Sequence, residues 1–487
     1  MHRYFVEIIH YISVVLLMAC SFNAHATDFV ATVSSQTEDV QLIRELEGIR
    51  EFRLANGLQI LLISDERRSY TTINLVYRTG SKHELYGEKG LAHLLEHLTY
   101  TGGNTHPDLS AEYRQRNMMT MGLTSFDFTS YRTTLSAEQQ SLDWVLDLEA
   151  TRMSQFKFSV DNLHTALREV IGEKENTDAS GKNTLIRRAT SSLFFWDAYG
   201  KDPIGIPSDL RNLRLNELEQ FWETYYRPDN ATLVVSGKFN EKNLLSLITK
   251  KFAFIQKIKQ SVKPVYTSEP IQDGEREIVL RRKRGAAALM VAYRTEPFVH
   301  PDAAAAMLLC QIFGGKEFGR LQHYLIETKI AKNMTANLTF MEHTGALLFG
   351  VNQEYGLAIE EAKSTLLSTL ENVRNQAISQ DELNQAKQIL KDDYIKSRRD
   401  SDALTTELNN FIASGDWRLY FLLRERIQHM DLASVQRIAE SWFVATNRSL
   451  CILKEDENLV LRNPASKLNL EEQLQELGSK KTASSVQ

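Results

Sequence analysis

Alternating apolar and polar residues near the start of the chain predict short β-strands. Residues 53–63 (RLANGLQILLI) are typical of two strand segments around an Asn56-Gly57 turn, since Asn-Gly is favoured in hairpin loops. Residues 71–78 (TTINLVYR) alternate in the same way and predict a further strand. The glycines Gly80, Gly87 and Gly90 then mark a loop that leads into a helix.

Helical periodicity dominates the next part of the chain. Apolar residues recur at helical spacing, so we expect helices over residues 136–156, 161–176, 215–226 and 241–252. Residues 231–236 (ATLVVS) predict a short apolar strand, because Pro228 stops the helix that precedes it.

A polar, lysine-rich stretch follows and separates two similar patterns. Residues 256–274 contain Pro264 and Pro270, and we interpret them as an inter-domain linker. After this linker the pattern begins again. We expect strands at 276–282, 286–293, 346–352 and 449–454, and helices at 300–313, 320–328, 355–377, 380–399 and 432–443.

The two halves resemble each other weakly. Each half begins with strands, carries helices in the middle and ends with a helix, a turn and a strand. RPDNATLVVSGKF at 227–239 parallels VATNRSLCILKED at 444–456. This duplication predicts an α+β fold with two homologous α/β-sandwich domains, each an antiparallel-rich sheet packed with helices. We place the domains at 27–255 and 275–465, with a polar tail at 466–487.

Residues 1–26 have the features of a secretory signal peptide. A short basic start precedes an apolar run, and Ala24-His25-Ala26 offers small residues for cleavage after Ala26. The apolar run is too short for a comfortable membrane span. An alternative is a lipoprotein box at residues 17–20, in which Cys20 would be lipidated. In both cases we expect export across the inner membrane to a bacterial periplasm.

Composition and charge exclude some classes of partner. The formal net charge of −5 is mild and both signs are mixed along the chain, which argues against nucleic acid as a partner. Cys310 and Cys451 lie in apolar runs, which favours buried and inert thiols. No cysteine cluster typical of a zinc site is present in the sequence.

The segment His93-Leu94-Leu95-Glu96-His97 contains candidate metal ligands and a candidate base. It is the HxxEH motif, the reverse of HExxH. On a helix His93 and His97 share one face, so both imidazoles can reach one metal ion. Glu96 is three residues from His93 and can act as the adjacent base. Two neutral nitrogen ligands beside a base are what metal-assisted peptide hydrolysis requires.

The motif alone is an unusual but not a decisive signal. With 12 His and 62 acidic residues in the chain, about 0.04 chance matches are expected when every acidic residue is accepted at the fourth position. The alternative is an ordinary amphipathic helix whose two histidines and glutamate lie at a solvated edge. The flanking sequence decides between these two interpretations.

Several flanking blocks resemble the inverzincin, or pitrilysin-type, metallopeptidases. The LANGL segment at 54–58 resembles the family's LxNGL strand, and residues 80–97 resemble its GSxxE…GxAHxxEH block. TSFDFTSY at 124–131 resembles TSxDxTxY, and YRPDN at 226–230, with the strand after it, resembles YxPxN…VxG. The blocks follow the family's order over nearly the whole mature chain. The chain is most similar to the two-domain branch, which includes mitochondrial processing peptidase subunits and bacterial relatives.

This resemblance implies one Zn²⁺ per chain, with a third ligand on a later helix. A two-histidine site needs an oxygen donor to make a catalytic zinc with one open position. Glu173 in the segment LREVIGEKE (167–175) fits the family's spacing best, and Glu175 is the rival ligand if the register slips. Glu169, one turn earlier, is expected to support a ligand or the base. Tyr131, in the TSFDFTSY block, is a further auxiliary candidate.

Two departures from the family pattern concern substrate contacts. Relatives usually have Asn-Ala where this chain has Met121 and Gly122, and methionine cannot donate the hydrogen bond that helps orient the scissile peptide. Active pairings also draw an Arg and a Tyr from the C-terminal domain. Here Ile326 stands at the Arg position, and Lys332 or Asn333 stands near the Tyr position.

The resemblance therefore implies an exported zinc endopeptidase for peptides or unfolded protein segments. Its two domains are expected to form half of a clam-shell chamber. A homologous subunit without zinc could supply the missing Arg and Tyr, which predicts a heterodimer. The alternatives are a homodimer that works without these groups, and Lys332 as a substitute charge donor. Two other interpretations stay open: a catalytically inactive subunit that holds peptides, and an exported binding module with a fortuitous motif. The joint presence of His93, Glu96, His97 and a suitable later Glu favours the enzyme.

Overall fold

The computed structural model describes residues 36–37, 40–102, 106, 108–354, 357–462 and 474–475. The predicted signal peptide, including Cys20 and Ala26, lies outside the described residues, as does nearly all of the predicted tail. Among the helices of the described residues, none combines the length and the apolar character that crossing a membrane requires.

The first half of the chain forms one eight-stranded sheet with helices packed on it. The strand order is β1-β2-β3-β4-β8-β5-β7-β6. The strands are β1 Gln36–Thr37, β2 Val40–Leu46, β3 Ile49–Leu54, β4 Gln59–Ser64, β5 Tyr70–Tyr77, β6 Met119–Thr124, β7 Thr129–Ser136 and β8 Ala231–Gly237. The helices are α1 Leu91–Tyr100, α2 Leu109–Gln115, α3 Gln139–Ser154, α4 Val160–Ala179, α5 Gly181–Ser192, α6 Pro207–Leu210, α7 Leu215–Tyr225 and α8 Glu241–Phe252.

The second half forms a five-stranded sheet in the order β11-β12-β10-β13-β9. Its strands are β9 Arg276–Arg282, β10 Ala288–Thr295, β11 Asn333–Phe340, β12 Gly345–Asn352 and β13 Arg448–Glu455. Its α-helices are α9 Ala303–Gly314, α10 Glu360–Glu371, α11 Gln380–Arg399, α12 Ser401–Ala413, α13 Leu419–His429 and α14 Leu432–Trp442, and Gln322–Glu327 is π-helical. The two mixed sheets packed with helices confirm the predicted α+β class.

The Asn56-Gly57 turn between β3 and β4 is held by contacts from distant parts of the chain. Gly57 has a φ of +100°, and a Cβ there would lie 2.7 Å from the Cβ of Asp229. The Asn56 side chain donates to the backbone oxygens of Phe252 and Ile255 at 2.8 and 3.0 Å. Only glycine tolerates both the left-handed conformation and this approach. The hairpin is therefore fixed by its turn chemistry and by the end of α8.

The two sheets share one topology, which confirms the predicted duplication. The order β4-β8-β5-β7-β6 in the first sheet matches β9-β13-β10-β12-β11 in the second. In both, the first pair is parallel and the other pairs are antiparallel. The closing turns also match, because Asn230 donates to the Tyr225 backbone oxygen at 3.0 Å and Asn447 donates to that of Trp442 at 3.0 Å. Strands β1, β2 and β3 extend only the first sheet.

The halves exchange helices that occupy corresponding positions in the duplicated pattern. Helix α5 follows the 20-residue helix α4 and packs on the second sheet, where Leu185 and Ala189 join Ala288, Met290 and Leu348 in one apolar cluster. Helix α12 follows the 20-residue helix α11 and packs on strands β5 and β8 of the first sheet. Each half thus covers one face of the other half's sheet.

A buried polar network joins α12 to the first sheet. Asn74 on β5 donates to the side-chain oxygen of Asn409 at 2.7 Å, and Asn409 donates to the Ser130 hydroxyl at 3.2 Å. The Thr405 hydroxyl also donates to that of Ser236 at 2.8 Å. Buried polar groups need such partners, because an unpaired one costs free energy. The network therefore fixes the position of α12 on the sheet.

Several elements were predicted correctly and several were missed. The long helices α4, α8 and α11 and the strands β5 and β13 lie close to the predicted bounds. The segment expected to be α-helical at 320–328 is π-helical instead, and the helix expected at 355–377 is the shorter α10. The strands β2, β6, β7 and β11 and the helices α5, α12 and α13 were not anticipated. The domain boundaries at 27–255, 256–274 and 275–465 stay predictions, and residues 256–274 contain neither helix nor strand.

The two later cysteines behave as expected. Both are free, Cys451 fully buried and Cys310 partly buried. Burial raises the pKa of each thiol to about 11. Thiolates are the reactive form, so both side chains should be inert at neutral pH.

Replacing Asn409 by leucine should weaken the contact between the halves. The change leaves Asn74 and Ser130 without their partner in the buried interface, so we expect the unfolding free energy to fall by roughly 2–4 kcal/mol. Asn410→Leu on the same helix is the control, because Asn410 is exposed, and it should change stability by less than about 0.5 kcal/mol. Urea denaturation measures both. Equal effects of the two variants would contradict the role of the network.

Candidate metal centre

Helix α1 has an apolar face and an opposite face that carries two histidines. Leu91, Leu94, Leu95 and Leu98 are buried in the apolar core of the first domain. This pattern fixes the helix on the sheet and leaves the imidazoles of His93 and His97 on the side away from the leucines. The two rings lie 4.8 Å apart between centroids and are nearly perpendicular, at 89°. One turn of helix therefore aligns both rings beside each other, as the i,i+4 spacing predicts.

The start of α1 is held by a buried carboxylate. The backbone N–H groups of Gly90 and Ala92 donate to the two oxygens of Glu84 at 3.0 and 2.9 Å. Burial raises the pKa of Glu84 to about 8, although these N–H groups lower it. Gly90 has a φ of +102°, and a Cβ there would lie 2.7 Å from a methyl carbon of Leu210. Glu84 belongs to the GSxxE block, but its capping role was not anticipated.

Three donor atoms converge beside α1, on the side of the helix away from the leucines. His93 Nε2 lies 3.6 Å and His97 Nε2 lies 3.5 Å from one oxygen of Glu173 on helix α4. Ligand atoms of the three residues lie within 4.8 Å of one another. Donors about 2.0–2.1 Å from a tetrahedral zinc would be roughly 3.3–3.4 Å apart. The two distances to Glu173 are close to this value, so the His₂Glu set fits a catalytic zinc ion after a small approach of the two imidazoles.

The environment of His93 favours a neutral imidazole. Burial, and then the neighbouring His97, lower the pKa of His93 to about 4, so its ring is neutral at pH 7. A neutral ring offers the lone pair that a metal needs. Glu169, one turn before Glu173 on α4, lies 3.1 Å from His97 Nδ1. A carboxylate in that position orients the ring so that Nε2 faces the ligand cluster.

Glu96 lies on the buried side of the motif and is held by strand β6. The Thr124 hydroxyl donates to one Glu96 carboxylate oxygen at 2.6 Å. Gly122 faces the other oxygen so closely that a Cβ would lie 2.2 Å from it. Burial raises the pKa of Glu96, while the Thr124 hydroxyl and His97 lower it. A buried carboxylate with a raised pKa is suited to accept and release a proton.

Tyr131 supports the helix from behind. It is fully buried, and its hydroxyl accepts a hydrogen bond from Thr99 on α1 at 3.0 Å and lies 2.8 Å from the Tyr226 hydroxyl. The guanidinium of Arg152 lies 4.1 Å from the Tyr131 ring centroid. Tyr131 thus supports the site through the Thr99 side chain and through packing against Tyr100 of α1. Its auxiliary role in the reaction stays a prediction.

Asp127, another residue of the TSFDFTSY block, joins the two domains. Its carboxylate accepts from Lys82 at 2.9 Å, from the Tyr199 hydroxyl at 2.6 Å and from the backbone N–H of Glu342 at 3.1 Å. Lys82 also pairs with the Glu342 carboxylate. Glu342 belongs to the second domain, so this cluster fixes the β6–β7 connection against it. The sequence block that contains Asp127 did not predict this role.

The substituted positions of the second domain have ordinary structural surroundings. Ile326 lies in the π-helical segment and packs partly buried against the core of that domain. Lys332 is exposed, and its amine lies 3.8 Å from Glu354. Glu175, the rival third ligand, is exposed on α4 two residues beyond Glu173. The ligand cluster contains Glu173 and not Glu175.

Two family models match this chain. A family model described as Insulinase (Peptidase family M16) matches residues 59–201, and one described as Peptidase M16 inactive domain matches residues 212–390. The HxxEH motif, Glu96 and Glu173 all fall within the first match. The residues of the substituted C-terminal positions fall within the second.

Three curated relatives cover most of this chain. The zinc protease PqqE of Helicobacter pylori is 25% identical over 452 residues, which are 91% of this chain and 97% of that protein. The probable zinc protease PqqL of Escherichia coli is 24% identical over 429 residues, 80% of this chain but 44% of that protein, so this chain spans about half of its length. The mitochondrial-processing peptidase subunit beta of Dictyostelium discoideum is 19% identical over 439 residues, 86% of this chain and 92% of that subunit.

Solved structures agree on the fold. A protease from Helicobacter pylori superposes with a TM-score of 0.79 at 24% identity, covering 84% of this chain and all of that one (100%). The periplasmic protease PqqL from Escherichia coli gives a TM-score of 0.71 at 19% identity, covering 85% of this chain and 48% of that one. With both family models matched in order along the sequence, the chain belongs to the M16 family of peptidases.

Proposed function

We propose that this protein is an exported, zinc-dependent endopeptidase that cleaves peptides or unfolded protein segments. The convergence of His93, His97 and Glu173 around one point, with the buried carboxylate of Glu96 beside them, is the observation that carries this proposal. A peptide-holding subunit has no need of a base next to a three-donor cluster. The relatives named zinc proteases support the same activity.

His93, His97 and Glu173 would hold the zinc ion, with Glu169 orienting His97. Zinc in such a site supplies Lewis-acid polarisation of the peptide carbonyl and makes water more acidic. The two imidazoles and one carboxylate leave the half-exposed side of the cluster free for substrate. Glu173 is half exposed, so this side is open to solvent in the described part of the chain.

Glu96 would act as the general base and then as the general acid. It takes a proton from the water that attacks the peptide carbonyl and passes this proton to the leaving amine. Burial raises the pKa of Glu96, which makes its carboxylate a stronger base for the first proton transfer. The Thr124 hydroxyl holds the carboxylate in place during both steps. Gly122 leaves the space in which the carboxylate lies.

Strand β6 would bind the substrate in an extended form. It ends the order of the first sheet, so its outer edge is available to a further strand. Its residues Gly122 and Thr124 contact Glu96 directly, which would bring a strand added there next to the base. Peptides and unfolded segments can adopt the extended form that pairing along this edge requires.

The proposal includes export to the periplasm and pairing with a second subunit. Export to the periplasm is supported by the predicted signal peptide and by the related PqqL of Escherichia coli, which is described as a periplasmic protease. Ile326 has no hydrogen-bond donor where relatives carry an Arg, and Lys332 or Asn333 stands near the position of their Tyr. We therefore propose that a homologous non-zinc subunit pairs with this chain and that the two enclose a chamber. The Dictyostelium relative is named as one subunit of a processing peptidase.

A catalytically inactive, peptide-holding subunit is the second candidate. Met121 and Ile326 favour it, because both lack the hydrogen-bond donors that relatives use. The substitutions lie outside the ligand cluster and leave the base in position, so we rank this candidate below the enzyme.

Removing individual carboxylates of α4 should lower the zinc affinity by different amounts. Glu169→Gln should weaken zinc binding roughly 10–100-fold by freeing the His97 ring, and Glu173→Gln should weaken it more by removing a ligand. Glu175→Gln, on the same helix, should leave it unchanged. Chelator competition with zinc analysis measures all three. A larger effect of Glu175→Gln than of Glu173→Gln would show that the register of the third ligand is wrong.

Replacing Glu96 by glutamine should remove hydrolysis and retain zinc. Glutamine keeps the size of the side chain but cannot accept the proton, so we expect at least a 100-fold loss of kcat on a quenched peptide. Thr124→Val should give a smaller loss by freeing the Glu96 carboxylate. Thr120→Val is the matched control, since Thr120 lies on the same face of β6 and contacts Tyr100 instead. Undiminished activity of Glu96→Gln would refute the assignment.

Adding the homologous partner should raise the activity of the purified chain. Loss of an oxyanion donor costs roughly 100- to 1000-fold in kcat, so the isolated chain should be slow by about that factor. The candidate partner would be a homologue that lacks HxxEH and has Arg and Tyr at the matching positions, sought first in the neighbouring coding sequence. Sedimentation and peptide assays with and without this subunit measure the effect. Full activity of the isolated monomer would contradict the proposed pairing.

A further inference from the structure

We infer that Met119, Met121 and Leu123 form an apolar ladder that selects substrates with apolar side chains at alternate positions. This inference rests on the proposed function, because it concerns peptides bound along strand β6. It adds a substrate class to that proposal: unfolded segments with the apolar–polar alternation of an amphipathic β-strand.

The two faces of β6 differ in what they contact. Thr120, Gly122 and Thr124 point towards helix α1, where they contact Tyr100 and Glu96. Successive side chains of a strand point to opposite faces, so the ladder lies on the face away from α1. Its side chains are 72%, 47% and 42% exposed.

The pairing of β6 with β7 identifies the face on which the ladder lies. Met121 pairs with Arg132 and Leu123 pairs with Ser130 on β7. Arg132 donates to the Thr406 hydroxyl at 3.0 Å, and Ser130 accepts from Asn409 at 3.2 Å. Helix α12 therefore covers this face at β7. At β6 the same face is exposed. The three ladder side chains therefore lie next to the part of the sheet that α12 covers.

Large exposed apolar side chains on an edge strand are unusual. Edge strands are normally protected by charged residues or proline, because an apolar edge invites other chains to pair with it. The face of β6 towards α1 carries Thr120, Gly122 and Thr124. Polar or small residues are therefore compatible with this strand. Three apolar residues on its outer face thus point to a ligand that covers them.

A strand added at the edge of β6 would meet the ladder directly. In an antiparallel pair, side chains that lie opposite each other share a face and are about 4.5–5.5 Å apart. Every second substrate residue would therefore pack on Met119, Met121 or Leu123. The residues between them would face α1 and the metal ligands. Such cross-strand pairs each change affinity by roughly 1.5- to 5-fold, so the ladder should contribute on the order of tenfold.

The test uses two quenched peptides of equal length and composition. One alternates apolar and polar residues, and the other groups the same residues in blocks. Parent protein should cleave the alternating peptide with a kcat/KM about tenfold higher, mainly through KM. The triple variant Met119→Thr, Met121→Thr, Leu123→Thr should lose this preference, and Met119→Thr alone should reduce it. Threonine preserves strand propensity, and zinc content with circular dichroism checks the fold.

Val279→Thr is the matched control. Val279 is an exposed apolar residue on the edge strand β9 of the second sheet, so its replacement should leave the preference unchanged. A triple variant that keeps the full preference for the alternating peptide would overturn the inference. The same holds if the triple substitution changes only the sedimentation of the protein, because the ladder would then bind a partner subunit.

A binding measurement tests the ladder independently of the proposed catalysis. Fluorescence anisotropy with the Glu96→Gln variant compares the Kd of both peptides without turnover. If the parent cleaves neither peptide, the proposed function fails, yet a roughly tenfold tighter binding of the alternating peptide that the ladder substitutions abolish still supports the ladder. Equal Kd values for the two peptides would contradict the ladder even in an active peptidase.

Discussion

Each sheet of this protein is covered on one face by a helix that the other half supplies. Helix α5 leaves the first domain and packs on the second sheet, and helix α12 makes the reciprocal contact. Without this exchange both sheets would expose an apolar face, which a folded domain cannot leave open to water. The halves therefore depend on each other for their cores. The exchange also brings α12 against strand β7, the neighbour of β6, where Arg132 donates to the Thr406 hydroxyl.

The metal centre combines a local and a long-range requirement. Helical spacing brings His93 and His97 together, and this needs only a helix. Glu173 comes from α4, and it reaches the two rings because α1 and α4 pack against each other. Glu84 fixes the start of α1 through two backbone N–H groups, and Thr124 fixes Glu96. The chemistry therefore depends on rigid supports on three sides of one short helix.

The two domains share a topology but differ in the side chains at the position of helix α1. Helix α9 follows β10 as α1 follows β5, but its sequence AAAAMLLCQIFG has no histidine or carboxylate and is buried almost throughout. The second domain thus uses the same position for packing alone. Since the fold is common to both halves, the candidate metal site depends on side chains of the first half that α9 lacks. The second half contributes α12 and the Glu342 contact, which hold β6 and β7 in place.

Local patterns in the sequence determined those features that arise within a few residues. The i,i+4 spacing predicted the paired imidazoles, Asn56-Gly57 predicted the hairpin, and helical periodicity predicted α4, α8 and α11. The resemblance to known peptidases supplied Glu173, which the cluster contains. The missed helices α5 and α12 bury their apolar residues against the other half of the chain, and the missed strand β6 exposes its apolar side chains. The Glu84 cap, the Asp127–Lys82–Glu342 cluster and the helix exchange were decided only by the tertiary structure. Their partners are brought together by packing, because burial and hydrogen bonding join residues that no local spacing relates.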